Sequence, residues 1–280
     1  MKISFRVMAV FLILWLIMAQ SCMKFKISDS KAKEEFKEAG VELTTATVKV
    51  GGRNMHYAKT GNDTLPTIVF VHGSPGSWDA FARYMQDKDL LAKFRMISID
   101  RPGFGYSDYG EAEHMQKQSD LISPMFKYWQ NGKPVYLAGH SLGGPMIVWL
   151  AGENPGMFNG LVLLAASVDP AEEKKEGWRN VLNTGVFRYF VPGAFRPSNV
   201  ELLYFKKDVY ALQDKFPLIK CKVFIVHGTK DTFVPVGNAA YAEKKLVNAS
   251  SVETTLIPDA PHFIPWTKYD VIKNILMKLY

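Results

Sequence analysis

The chain has 280 residues, 48% of them hydrophobic and 22% charged. That is enough for a large buried core, in the size range where an α/β fold closes as one domain. The formal charge of +7 comes from scattered residues: Lys31 and Lys33 precede Glu34 and Glu35, and Lys174-Lys175 precede Glu176. No basic stripe with interleaved aromatics forms, so nucleic acid is not the expected partner, and an anionic membrane surface is the better use of the charge.

The first 22 residues read as an export signal rather than as part of the fold. Lys2 and Arg6 give a positive start, and 7–19 is an unbroken apolar run of 13 residues. A bilayer-spanning helix needs roughly 20. Ala19-Gln20-Ser21 then lead to Cys22. This resembles a bacterial lipoprotein signal, which implies lipidation at Cys22 and a lipid-anchored protein of the bacterial cell envelope. Ala19 and Gln20 depart from that signal's usual residues, so an uncleaved membrane anchor or plain periplasmic secretion stays open. Residues 23–41, polar and rich in Lys and Glu, are expected to be a tether and first helix. The domain proper is expected over 42–280. Cys221, the second cysteine, opens an apolar run and reads as a buried free thiol, so no disulfide framework exists. The six histidines show no H-x-x-x-H or H-x-H grouping and there is no C-x-x-C, so no metal is expected, and the chemistry implied by the resemblance described below calls for no cofactor.

Two extended stretches, 42–50 and 53–59, meet at Gly51-Gly52, a hairpin signal. Short continuous apolar runs follow at 67–71, 94–99, 135–138, 161–166, 223–226 and 252–257, the pattern of buried parallel strands. Helical patterns lie between them, notably 77–87, 113–129 and 237–246. Strand and helix in alternation predict a mostly parallel central sheet flanked by helices. The stretch 167–215 breaks the rhythm with Trp178, Phe187, Tyr189, Phe190, Phe195, Tyr204 and Phe205 amid charges. An insertion this long predicts a small helical lid.

Gly139-His140-Ser141-Leu142-Gly143 follows the 135–138 run and precedes a helical stretch. Strand, G-x-S-x-G, then helix is the setting of a nucleophile elbow. The turn is too tight for side chains at its flanks, hence Gly139 and Gly143, and it lifts the Ser141 hydroxyl above the end of the sheet.

Five blocks stand in a fixed order: HGSPGS at 72–77, DRPGFGYSD at 100–108, GHSLGG at 139–144, HGTKDTFVP at 227–235 and APHFIPW at 260–266. Over residues 42–280 the chain resembles the serine-nucleophile branch of the alpha/beta-hydrolase fold family. The resemblance implies an α/β-hydrolase fold with Ser141 as nucleophile, His262 as general base and Asp231 as the acid that orients it. Asp169, after the preceding strand, competes with Asp231. Two backbone amides are needed for the oxyanion hole, and Leu142 and Ser74 are in place to supply them. Asp100 and Arg101 are expected to brace loops beneath the site. The implied activity is hydrolysis of a carboxylic ester or related acyl bond in a small molecule, through an acyl-enzyme. Acyl transfer, or cleavage of carbon–carbon, amide or peptide bonds on the same triad, are the alternatives within enzymology. A slow-turnover ligand-binding module is the alternative outside it.

Overall fold

The computed structural model describes residues 5–21, 25–174 and 176–280; Cys22 lies outside them. All eight expected strands form: β1 (Thr44–Val50), β2 (Arg53–Thr60), β3 (Thr67–Val71), β4 (Arg95–Ile99), β5 (Val135–His140), β6 (Gly160–Leu164), β7 (Lys222–Gly228) and β8 (Ser251–Ile257). They make one sheet in the order β1-β2-β4-β3-β5-β6-β7-β8. β2 is antiparallel to β1 and β4; every other neighbouring pair is parallel. Gly51 and Gly52, at φ 57° and 82°, take the left-handed backbone that a two-residue hairpin loop demands.

The helices are α1 (Phe5–Ser21), α2 (Asp29–Glu38), α3 (Ala82–Met85), α4 (Lys88–Leu91), α5 (Met115–Ile122), α6 (Gly143–Glu153), α7 (Trp178–Leu182), α8 (Phe195–Leu212), α9 (Gly237–Lys245), α10 (Ile264–Thr267) and α11 (Tyr269–Met277). Strand alternation sorts the core into two layers. Val69 and Val71 of β3 join Met146 and Leu150 of α6 and Val209 of α8, whereas Ile68 and Phe70 join Phe36 of α2 and Ile272 and Leu276 of α11. Because both faces are covered, all five β3 residues are buried.

Three segments differ in detail from the sequence expectation. The helix expected over 77–87 is a 3-10 turn (Trp78–Phe81) followed by α3, with α4 beyond it. The one expected over 113–129 is α5 followed by a 3-10 turn (Ser123–Tyr128), where Pro124 has no N–H to continue the ladder. The polar stretch after residue 28 is docked on the domain. Ser28 caps α2, Ala32 and Phe36 are buried, and Thr45 Oγ1 donates to Asp29 Oδ2 at 2.7 Å. The lid region holds α7, a 3-10 turn (Phe187–Tyr189) and α8. Strand order reverses between β3 and β5, and the crevice beyond the carboxyl ends at such a switch point is where open α/β sheets bind ligands.

Candidate active site

The elbow forms where the sequence places it. Ser141 follows β5 with φ of 54°, a left-handed conformation that strains a non-glycine residue by about 1–3 kcal/mol. The turn is held by Ser141 N–H donating to the Leu164 carbonyl (2.9 Å) and Gly144 N–H to the Ser141 carbonyl (3.0 Å). A Cβ on Gly139 would lie 2.2 Å from the Gly143 carbonyl oxygen, and one on Gly143 would lie 2.1 Å from that of Val71. Neither neighbour is a side chain that could swing away, so both positions need glycine.

Asp231 and His262 meet after β7 and β8. Asp231 Oδ2 lies 2.7 Å from His262 Nδ1, and its Oδ1 accepts the N–H groups of Phe233 (2.9 Å) and Val234 (2.8 Å). Burial alone would raise the Asp231 pKa. The bonds from His227, His262 and Val234 outweigh it and hold the carboxyl well below the usual carboxylate range. The acceptor at Nδ1 assigns the proton there and leaves the His262 Nε2 lone pair for chemistry. Asp169 does not reach this histidine: its amide N–H donates to Asn238 Oδ1, and its Oδ1 caps the Ala171 N–H.

His140, beside Ser141, acts on the histidine as well. Its Nε2–H donates to the His262 carbonyl at 3.1 Å, and the two rings stand 4.8 Å apart. Burial, with His262 adding to it, pushes the His140 pKa down to about 3, so the ring stays neutral. Ser141 and His262 are each 6% exposed, while Phe233 and Phe263, with rings 5.4 Å from that of His262, are exposed at the rim.

The loop after β3 lies against the elbow, since a Cβ on Gly73 would sit 3.0 Å from Ser141 Cβ. Among the described residues, neither the Ser74 nor the Leu142 N–H donates to a protein acceptor. Leu142 also caps the start of α6, where the helix dipole is positive. The Ser74 hydroxyl donates to Ser198 Oγ of α8 at 2.8 Å.

Beneath this loop is a buried polar cluster whose extent the sequence did not disclose. Arg101 Nε donates to the His72 carbonyl (2.9 Å) and Nη2 to the Gly73 carbonyl (3.0 Å). Its remaining donors go to Gln118 of α5 and, as an ion pair, to Glu201 of α8. His72 Nδ1–H also donates to the Gly73 carbonyl (2.7 Å), while its Nε2 accepts the Arg101 N–H (3.0 Å). Burial and the neighbouring guanidinium hold the His72 pKa well below the ordinary histidine value. Asp100 braces a second loop, accepting from the N–H groups of Trp78 and Tyr106 and lying 2.8 Å from His56 Nδ1. Sequence reasoning placed Arg101 and Asp100 as braces and missed their partners. Glu201 carries no motif and lies 100 residues from Arg101.

The alpha/beta hydrolase fold family model matches residues 66–206. With this sheet and elbow, the chain belongs to the alpha/beta hydrolase fold family. Mouse serine hydrolase BPHL is 25% identical over 249 residues, 80% of this chain and 81% of that one. Epoxide hydrolase 1 of Caenorhabditis elegans is 34% identical over 61 residues, 22% of this chain and only 15% of the nematode protein's length. Among solved structures, a thermophilic esterase from Thermogutta terrifontis superposes with a TM-score of 0.67 at 18% identity, over 84% of this chain and 99% of that one. At that identity the likeness speaks for the fold.

Proposed function

We propose that the protein is a serine hydrolase that cleaves a carboxylic ester, or a related acyl bond, of a small molecule. The observation that carries this reading is Ser141 on a strained elbow at the sheet's carboxyl edge, with His262 held by Asp231 2.7 Å from its Nδ1. Ser141 Oγ attacks the carbonyl carbon as its proton passes to His262 Nε2. The Asp231 carboxylate, which stays ionised, stabilises the imidazolium. Negative charge develops on the former carbonyl oxygen and is met by the Leu142 and Ser74 amides; one such donor is worth roughly 3 kcal/mol of barrier. Collapse expels the alcohol, which takes the proton from His262. Water then repeats the sequence on the acyl-enzyme and releases the acid. We place the protein in the bacterial cell envelope, held at the membrane by a lipid on Cys22 or by the retained apolar N-terminus.

The test is turnover of p-nitrophenyl esters of graded acyl length by the purified protein beside Ser141→Ala. A loss of roughly three orders of magnitude or more in the variant is expected. Equal turnover in the two proteins would remove Ser141 from the mechanism.

A further inference from the structure

The lid carries apolar side chains that the protein does not cover. α7 and the 187–189 turn bury no residue. Trp178, Val181, Val186 and Phe187 stand there at 50% to 69% exposure. A soluble monomer rarely leaves a contiguous apolar patch without a partner. α1 has the same character on every side. All six residues from 10 to 15 are exposed, and six successive residues pass right round a helix. A helix that is apolar all round belongs in apolar surroundings. No described helix is long and apolar enough to cross a membrane. α1 lies against the lid, and Trp15 Nε1–H donates to the Phe190 carbonyl at 3.3 Å.

The chain just after the expected export signal is fixed at the same place. The Phe25 ring meets that of Phe195 edge-on at 5.7 Å. The Phe25 carbonyl accepts from Ser77 Oγ (2.7 Å) and the Ile27 carbonyl from the Tyr106 hydroxyl (3.1 Å). α1, the described apolar N-terminal segment, thus sits at the lid.

Charge selects the occupant. Arg179, Arg188 and Arg196 interleave with the aromatics, and Glu176 is the acid paired with Arg179. Arg188 and Arg196 border a cavity of about 330 Å³ together with Tyr109, whose buried hydroxyl has no partner among the described residues. Aromatic and aliphatic side chains flanked by cations match acyl chains beneath an anionic headgroup layer. Two copies docked lid to lid would instead set these like charges against each other.

We infer that the face made by α7 and the 187–189 turn is a membrane-docking surface. It beds into the same anionic leaflet as the N-terminal anchor and turns the mouth of the site toward amphiphiles held in that leaflet. This rests on the envelope location proposed above and not on the acyl chemistry.

The test uses the full chain on phosphatidylethanolamine–phosphatidylglycerol vesicles containing a phosphatidylglycerol with a diazirine in its acyl chain. After irradiation, mass spectrometry maps the lipid adducts. Adducts are expected in 178–190 as well as in the N-terminal segment. In a Val181→Asp, Phe187→Asp double variant the lid adducts should fall about tenfold or more while the N-terminal ones persist. Adducts confined to the N-terminus, lid-to-lid protein crosslinks in their place, undiminished lid labelling in the double variant, or a chain that does not float with the vesicles would each overturn the inference. The readout needs no turnover, so its failure and a failure of the ester assay are separately visible.

Discussion

Arg101 uses all five guanidinium N–H groups: one on the His72 carbonyl, one on the Gly73 carbonyl, one on Gln118 and two on Glu201. The bond to Gly73 matters most, because a peptide unit is planar. The Gly73 carbonyl and the Ser74 N–H belong to one trans unit and point in opposite directions. Pinning that oxygen with both His72 and Arg101 therefore aims the Ser74 amide, the proposed oxyanion donor. Arg101 is buried with every donor engaged by the protein, which makes it a positioning residue in the proposed reaction. Lysine brings charge but cannot serve the two carbonyls and the carboxylate together. Arg101→Lys is expected to lower kcat on an ester about 10- to 100-fold, a part of what losing an oxyanion donor costs, with KM little changed. Steady-state kinetics beside a melting curve check this: a lower Tm with kcat intact would mean that Arg101 only holds the fold. Ser141, Asp231 and His262 could be singled out as candidates from the sequence because each follows a strand end in a recognisable turn. The sequence could not disclose Glu201, whose role exists only once α8 crosses the loop after β3.

Among the elements, the strands were the most legible, and for a physical reason. A strand buried on both faces has to be a continuous apolar run, as in Thr67–Val71, and the β1–β2 hairpin announces itself through Gly51-Gly52. Helices that bury only one or two residues are harder to read. α2 is nearly all Lys, Glu, Asp and Ser, so its composition suggests a solvated tether, yet Phe36 is 1% exposed with its ring 6.1 Å from that of Trp78. The two readings differ measurably. Truncating a tether residue costs nothing, whereas emptying a core site of this size costs about 3–5 kcal/mol. Phe36→Ala is expected to lower the unfolding free energy by that amount in a urea titration. An unchanged midpoint would return α2 to the status of a tether. The lid was legible as an aromatic insertion but not in its pieces, because α7 and the 187–189 turn are set by local turns rather than by an amphipathic period.

Across the whole molecule, pH acts on stability through two buried histidines outside the proposed triad. His72 and His140 are buried and held below the ordinary histidine pKa, His140 at about 3. Below pH 6.5 the unfolded chain therefore binds protons at these two positions that the folded protein does not, and stability falls as pH falls. His140 contributes about 1.3 kcal/mol of loss between pH 7.5 and 5.5, and His72 adds to it in the same direction. Asp79, Glu173 and Asp208, raised chiefly by burial, take up protons earlier in the folded state and oppose the loss at the acid end of this window. Asp231 acts in the other direction to these three, its contribution being lost as pH falls through and below the ordinary carboxylate range, under this window. The expected result is an unfolding free energy lower by about 1 kcal/mol or more at pH 5.5 than at pH 7.5, with a smaller loss in His140→Asn. Urea midpoints at the two pH values measure it, and an equal loss in the variant would mean that His140 is charged in the folded protein. Its neutrality bears on the proposed chemistry too. With the rings 4.8 Å apart, a charged His140 would repel the imidazolium that His262 becomes when it takes the Ser141 proton. The burial that makes the fold sensitive to acid thus also spares the proposed base a competing positive charge.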